Sequence, residues 1–349
     1  MSAPEKVTIG NAELWLGDCM DVMAGMGASS VDAIITDPPY FRVKGEPWDN
    51  QWKSPAAFLA WVGDLCEQFE RILKPNGSLY FFASPQMAAR VEVKISERFN
   101  VLNSIVWRKG AAGREASSRG NRSRKEALRG WFPVTERIIF AEHYGADNMA
   151  KGEAGYEAKC DELRGFVFEP LRAYLRAERD RAGFTTQAID AEWQRERGTK
   201  GCMAGHWFGG SQWELPTEGN YNWLRSLFGG DRLSREYEEL RREYEELRRP
   251  FAVTANDQWS DVWDFAPVQA YPGKHPCEKP QPLLRHILSA STRPGAVVFD
   301  PFAGSGSMGE ACHKLGRKFI GVEMCPDNHG KAARRIKAAT AQLDILDRG

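Results

Sequence analysis

The segment "VVFDPFAGSGSMGEACHKLGRKFIGVE", residues 297 to 323, constrains the fold most strongly because of where it lies in the chain. "VVFD" reads as a buried strand, and Gly304, Gly306 and Gly309 fit G-x-G-x-x-G leading into a helix over about 306 to 315. "KFIGVE" (318 to 323) is a second strand, closed by Glu323 19 residues after Gly304. Together they form a β-α-β unit whose glycine turn can cradle a nucleotide. Only 40 residues follow Gly309, too few to supply the remaining strands of such a sheet. Those strands must come from the amino-terminal part of the chain. The expected fold is therefore α/β, a circularly permuted Rossmann-like sheet. The glycines alone would suggest an NAD-dependent enzyme, a reading that the permutation disfavours.

The amino-terminal part has the elements this requires. "VDAIIT" (31 to 36) is a buried-strand run, and "SPAAFLAWVGDLCEQFERIL" (54 to 73) has helical spacing with Ser54 as N-cap. "SLYFFAS" (78 to 84) follows the turn "KPNG", and "VLNSIVW" (101 to 107) and "ERIIFAEH" (136 to 143) add strands. The first strand runs into "TDPPYF": Pro38 and Pro39 lack the N–H that a sheet needs, so they end it abruptly and leave Asp37 at its carboxyl edge. Open α/β sheets bind their ligands at that edge. From about 151 to 250 the composition shifts to Arg, Glu and helix formers without a convincing strand. The organisation read from this is a first catalytic part, 1–150, a helical insertion, 151–254, and a second catalytic part, 255–349.

Composition narrows the function classes. Lys and Arg (47) balance Asp and Glu (47), so any nucleic-acid signal must be local. The seven Cys form no C-x-x-C pair and the six His are scattered, which argues against a metal site and against a disulfide framework. No run approaches the roughly 18 apolar residues of a membrane span, and the amino terminus lacks a secretory pattern, so a reducing, cytoplasmic setting is expected.

D-P-P-Y early, F-x-G-x-G ("FAGSG", 302 to 306) late, and "HPCEKPQPLL" (275 to 284) just before it resemble the β-class amino-methyltransferases of DNA. The fuller pattern of "TDPPYFRVKGEPWDNQW" with "YPGKHPCEKP" resembles prophage-type, restriction-modification-like adenine methyltransferases, some of them with relaxed sequence specificity. The resemblance covers roughly residues 7 to 145 and 255 to 340 and implies S-adenosylmethionine as cofactor and double-stranded DNA as substrate. It implies that Asp300, Pro301 and the Phe302, Ala303, Gly304, Ser305, Gly306 turn hold the methionine moiety and that Glu323 takes the ribose hydroxyls. It also implies that Asp18, with Cys19, reaches the cofactor adenine, and that Lys279 and Pro280 flank its amino-acid end.

The chemistry gives these residue types a reason. An exocyclic amine is a poor nucleophile because its lone pair is delocalised into the base. Asp37 and the Pro38 carbonyl can each accept one amine hydrogen and localise the pair, with Pro39 stiffening the loop. A base flipped from the duplex costs a few kcal/mol, which an aromatic face offsets by stacking. Tyr40 is the expected stacking residue, with Phe41 or Trp48 as second candidates. Three alternatives remain: a cytosine N4-methyltransferase, the NAD-dependent enzyme, and a DNA-binding protein that keeps the fold without catalysis.

Two further segments bear on DNA. Residues 108 to 129 carry eight Lys or Arg against two Glu, so Arg119, Arg122, Arg124 and Lys125 are expected on phosphates. Within the insertion, "GFTTQAID" opens one short helix and "AGHWF" a second that would be a recognition helix, with His206 and Gln212 as base-reading candidates. The tandem heptad "EYEELRREYEELRR" (236 to 249) puts Tyr237, Leu240, Tyr244 and Leu247 on one stripe. Two heptads are too short for a stable coiled coil, so this helix packs on its own domain or on a homodimer partner.

Overall fold

The computed structural model describes residues 4–43, 45–109, 129–131, 133–144, 167–209, 213–254 and 257–346. Most of the basic loop, with Arg119, Arg122, Arg124 and Lys125, and also Gln212, lies outside them. The chain divides into two compact units, one built from residues 1–142 and 250–349 and the other from 143–249.

The first unit is a nine-stranded sheet. In chain order its strands are β1 (Glu5–Ile9), β2 (Ala12–Leu16), β3 (Val31–Thr36), β4 (Leu73–Ala83), β5 (Phe99–Arg108), β6 (Thr135–His143), β7 (Val262–Asp264), β8 (Val297–Asp300) and β9 (Lys318–Glu323). Their order across the sheet is β1-β2-β9-β8-β3-β4-β6-β5-β7. The run from β2 to β4 is parallel throughout, and β6 lies antiparallel to β4. The amino- and carboxyl-terminal parts therefore share one sheet, joined where Ala33 pairs with Val298 and Ile34 with Phe299. This is the permuted sheet that the position of the glycine turn demands.

Alternation along the strands makes two cores. Ile34, Phe81, Ile139, Phe299 and Val322 face one side, where α1 (Cys19–Gly25), α2 (Pro55–Ile72) and α3 (Ala88–Ser96) cover them. Ala33, Ile35, Tyr80, Phe82, Ile138 and Val298 face the other, under α9 (Gln281–Ser291), α10 (Ser307–Lys314) and α11 (Pro326–Leu346). Helix α2 forms as its sequence directs. Ser54 accepts a hydrogen bond from Ala57 N at 3.2 Å, Pro55 follows at N1, and Phe58, Val62, Leu65, Phe69 and Ile72 make its buried stripe.

One local expectation fails. "KPNG" is not a turn ahead of a strand, because β4 starts at Leu73 and runs through it. Val31 pairs with Leu73 but Ala33 with Ser78, so the extra residues bulge from the ladder. The Lys74 ammonium holds the bulge through Asp32 at 2.7 Å. At Gly77 a Cβ would meet Leu73 at 2.5 Å, which leaves only glycine there.

The second unit is helical in its described residues: α4 (Glu169–Arg181), α5 (Thr186–Arg197), α6 (Ala204–Phe208), α7 (Glu218–Leu227) and α8 (Tyr237–Leu247). Thr185 and Thr217 cap α5 and α7. The expected recognition helix is a single five-residue turn ending at Gly209. Its Trp207 and Phe208 are buried, and the Trp213 indole donates to the Trp207 carbonyl at 2.7 Å. Aromatic packing has taken the segment for the core. The heptad stripe is likewise spent inside this unit: Leu240 is fully buried, Tyr244 stacks on Phe168 at 4.9 Å, and Tyr237 meets Tyr221 at 5.9 Å. Replacing Leu240 by Ala should therefore destabilise this unit by about 2–5 kcal/mol, whereas Glu238→Ala on the exposed face should change stability by less than ~0.5 kcal/mol. Urea unfolding followed by tryptophan fluorescence distinguishes the two.

Candidate active site

Strands β9, β8 and β3 are adjacent and parallel, so their carboxyl ends open on the same edge of the sheet. Each ends on or just before an acid: Glu323, Asp300 and Asp37. Beyond β3, Pro38 and Pro39 cannot continue the ladder, and the chain turns out over the edge. A cavity of about 520 Å³ lies there, within the size of ordinary small-molecule sites. Asp18, Cys19, Asp37, Pro38, Pro39, Tyr40, Trp48, Lys279, Asp300, Pro301, Phe302, Ala303, Gly304, Ser305 and Glu323 line it. Two of the expected cofactor residues do not. Pro280 is the N-cap of α9, and Gly306 faces α11, where a Cβ would sit 2.8 Å from the Ala332 Cα. His206 belongs to the other unit and is half-buried.

The glycine turn is stapled by the acid that follows it. Gly304 N donates to Glu323 Oε2 at 2.9 Å, Cys325 N donates to Oε1 at 2.8 Å, and Ala303 N donates to the Val322 carbonyl at 2.8 Å. Gly304 and Gly306 have φ of +48° and +72°, conformations that glycine adopts without strain. Glu323 therefore keeps only part of its acceptor capacity for a ligand. Asp18 caps α1 by accepting from Met20 N at 2.7 Å. Burial pushes the Cys19 thiol up to about 12, so it is a neutral wall of the cavity. Asp300 accepts from Phe302 N at 3.1 Å, yet burial still pushes its carboxyl up to about 7.

A network of charges occupies the other end of the cavity. Lys279 donates to Asp37 Oδ2 and lies 3.5 Å from Glu136. The Tyr40 hydroxyl donates to Asp37 Oδ1 at 2.8 Å and has Glu136 Oε2 at 3.2 Å, while Lys109 donates to Glu136 Oε1. Two carboxylates and two ammonium groups thus balance. Burial raises the Asp37 carboxyl, with Glu136 adding to the rise and Lys279 opposing it. Lys279 lines the cavity with its ammonium on Asp37. Its ammonium is 5.8 Å from the Tyr40 ring centroid, so one face of that ring is already taken. Phe41 is half-buried, packs against Phe58 at 5.9 Å and is not among the residues lining the cavity.

Glu136, Lys109, His275 and Trp61 are site residues that the sequence reading missed. Glu136 is the second residue of β6, whereas ligand-facing residues of parallel strands stand at the end. Because β6 runs antiparallel to β4, its amino end reaches the site edge, with Arg137 opposite Ala83. A Glu opening an apolar run is the only trace of this in the sequence. Among the described residues, no cluster of side chains could hold a metal, and no helix is long and apolar enough to cross a membrane.

The cavity suits a cationic nucleoside ligand. Asp18, Asp37, Asp49, Asp300 and Glu323 line it, and one of them, Asp300, is buried where a bound cation would offset the cost of its charge. Comparison with known proteins agrees. The chain is 24% identical over 330 residues to the DNA adenine methyltransferase YhdJ of Escherichia coli (strain K12), covering 93% of this chain and 82% of that one. It is 40% identical over 84 residues to the type II methyltransferase M2.DpnII of Streptococcus pneumoniae, 23% of this chain and 31% of that one. Its fold is that of the PvuII DNA methyltransferase (cytosine-N4-specific), with a TM-score of 0.52 at 13% identity, over 94% of this chain and 87% of the other. The pattern of the N6/N4 DNA methylase family matches residues 31–332, and the chain belongs to that family of S-adenosylmethionine-dependent DNA methyltransferases.

Proposed function

We propose that this DNA methyltransferase acts on the N6 amino group of adenine, with the β-class arrangement of motifs and with double-stranded DNA as substrate. The observation that carries the reading is the meeting of Asp37-Pro38-Pro39-Tyr40 and the glycine turn at one cavity. The likeness to a DNA adenine methyltransferase over 93% of the chain supports adenine over cytosine.

S-adenosylmethionine, when bound, supplies an electrophilic methyl on a sulfonium. Glu323 and Asp18 would hold its ribose and adenine, and Asp300 with the backbone from Phe302 to Ser305 would hold its methionine end. Asp37 and the Pro38 carbonyl accept the two amine hydrogens of the flipped base and aim its lone pair at the methyl. After transfer the nitrogen carries one proton too many, and Asp37, whose basicity burial raises, takes it. The free face of Tyr40 stacks on the base. The helical unit and the basic loop hold the DNA, and the target is short or degenerate. His206 and Trp48 are the described residues proposed to touch it.

Incubating unmodified DNA with labelled S-adenosylmethionine, digesting to nucleosides and mapping the modified positions tests this. N6-methyladenine in several sequence contexts is expected; N4-methylcytosine, or a single long motif, would overturn the corresponding part. Asp37→Ala should abolish transfer with cofactor affinity intact by calorimetry. Glu323→Ala should weaken that affinity by at least about 1.5–3 kcal/mol, since a charged acceptor and the turn's staple go together.

Asp300 gives cofactor binding a pH dependence. Asp37, Glu323 and Lys279 are the charged groups facing it, and its carboxyl ionises at about 7. Only the carboxylate attracts a cation, so affinity should fall as pH drops through about 7, and Asp300→Asn should flatten the curve. Titration calorimetry from about pH 6 to 8.5 reads this directly.

Replacing Arg119, Arg122, Arg124 and Lys125 by Ala should weaken binding equally on all sequences and lower the log–log salt slope by as much as about 3 to 4. Fluorescence anisotropy over a salt series measures it, and an unchanged slope would remove these residues from the interface.

A further inference from the structure

The network around Asp37 contains one more acceptor than the transfer reaction needs. Asp37 must receive an amine hydrogen, yet both its oxygens are already engaged, Oδ1 by the Tyr40 hydroxyl and Oδ2 by the Lys279 ammonium. A carboxylate offers about four acceptor sites, so an amine can be added, but it competes with two donors that already draw on the same charge. Glu136 lies within reach of both donors, 3.2 Å from the hydroxyl and 3.5 Å from the ammonium. Its own charge is held in place by Lys109. Lys279 is enclosed by the rings of Phe82, Tyr40 and Trp107, at 4.9, 5.8 and 6.0 Å from their centroids. That box keeps the ammonium between the two carboxylates, whichever it favours.

We infer that Glu136 is a positioning residue for methyl transfer: it is the second acceptor onto which Tyr40 and Lys279 shift when the target amine claims Asp37. The inference rests on the proposed role of Asp37. Without Glu136 the two donors have no second acceptor, and the amine must compete with a hydroxyl and an ammonium for the charge of Asp37. The single Tyr40 proton cannot serve both carboxylates fully, so its transfer from Asp37 to Glu136 releases one lone pair facing the cleft. Glu136 is not among the residues lining the cofactor cavity and acts through Tyr40 and Lys279.

The test compares Glu136→Gln, Glu136→Asp, Tyr40→Phe and the Tyr40→Phe/Glu136→Gln pair in the full chain, with the wild type as reference. Glu136→Gln keeps the shape but loses the charge that receives Lys279. Its kcat should fall about 10- to 100-fold while the cofactor KM and calorimetric Kd stay within about twofold. Glu136→Asp keeps the charge and should recover part of the loss. In the Tyr40→Phe background Glu136→Gln should cost measurably less than alone, because part of its effect runs through the missing hydroxyl. Wild-type kcat in a folded Glu136→Gln protein, fully multiplicative effects in the cycle, or a loss of cofactor affinity equal to the loss of rate would each overturn the inference. A wild-type enzyme that fails to methylate adenine would instead overturn the proposed function.

Discussion

The pairing of β8 with β3 is the contact on which the site depends. It joins residues more than 260 positions apart, and Asp32 clamps it by accepting from Val297 N at 2.8 Å while Lys74 holds its other oxygen. Such a contact must repay the entropy of closing a long loop. It does so with the most buried part of the molecule: Ala33, Ile34, Val298 and Phe299 are sealed on both faces by helices from the two ends of the chain. Once it forms, Asp37 and Asp300 stand on neighbouring strand ends. Without it, the cleft has only one wall.

The cleft then has an electrostatic problem. Asp18, Asp37, Asp300 and Glu323 line one cavity, and burial penalises the charge of Asp37, Asp300 and Glu323. The protein solves this differently at its two ends. At the glycine turn, backbone N–H groups stabilise Glu323, and Asp300 is left near neutrality for a ligand to ionise. Beside Asp37, fixed cations do the work: Lys279 and Lys109 balance Asp37 and Glu136 without help from a ligand. One end thereby relies on backbone donors and the other on fixed cations.

The helical unit has a separate core. Trp193, Trp207, Trp213 and Tyr221 fill its centre, and the described polar residues of "AGHWF" are few. Base readout needs rigidly held Arg, Asn or Gln at the surface. A segment that sends its large side chains inward leaves few such groups at its surface.

The sequence by itself determined the strands "VDAIIT" and "KFIGVE", helix α2 with its Ser54 cap, the permuted order of the sheet, and the two motifs that meet at its edge. These follow from short-range rules: period-two or helical apolar spacing, the missing proline N–H, and the backbone freedom of glycine. Tertiary structure alone decided three things. The "KPNG" segment became a bulge because the register with β3 required extra length. "AGHWF" became core because neighbouring indoles gave it a place to bury Trp207 and Phe208. Glu136 entered the site because an antiparallel strand carries its amino end to the edge where parallel strands end. Each depends on a partner distant in sequence, and no local pattern encodes which partner that will be.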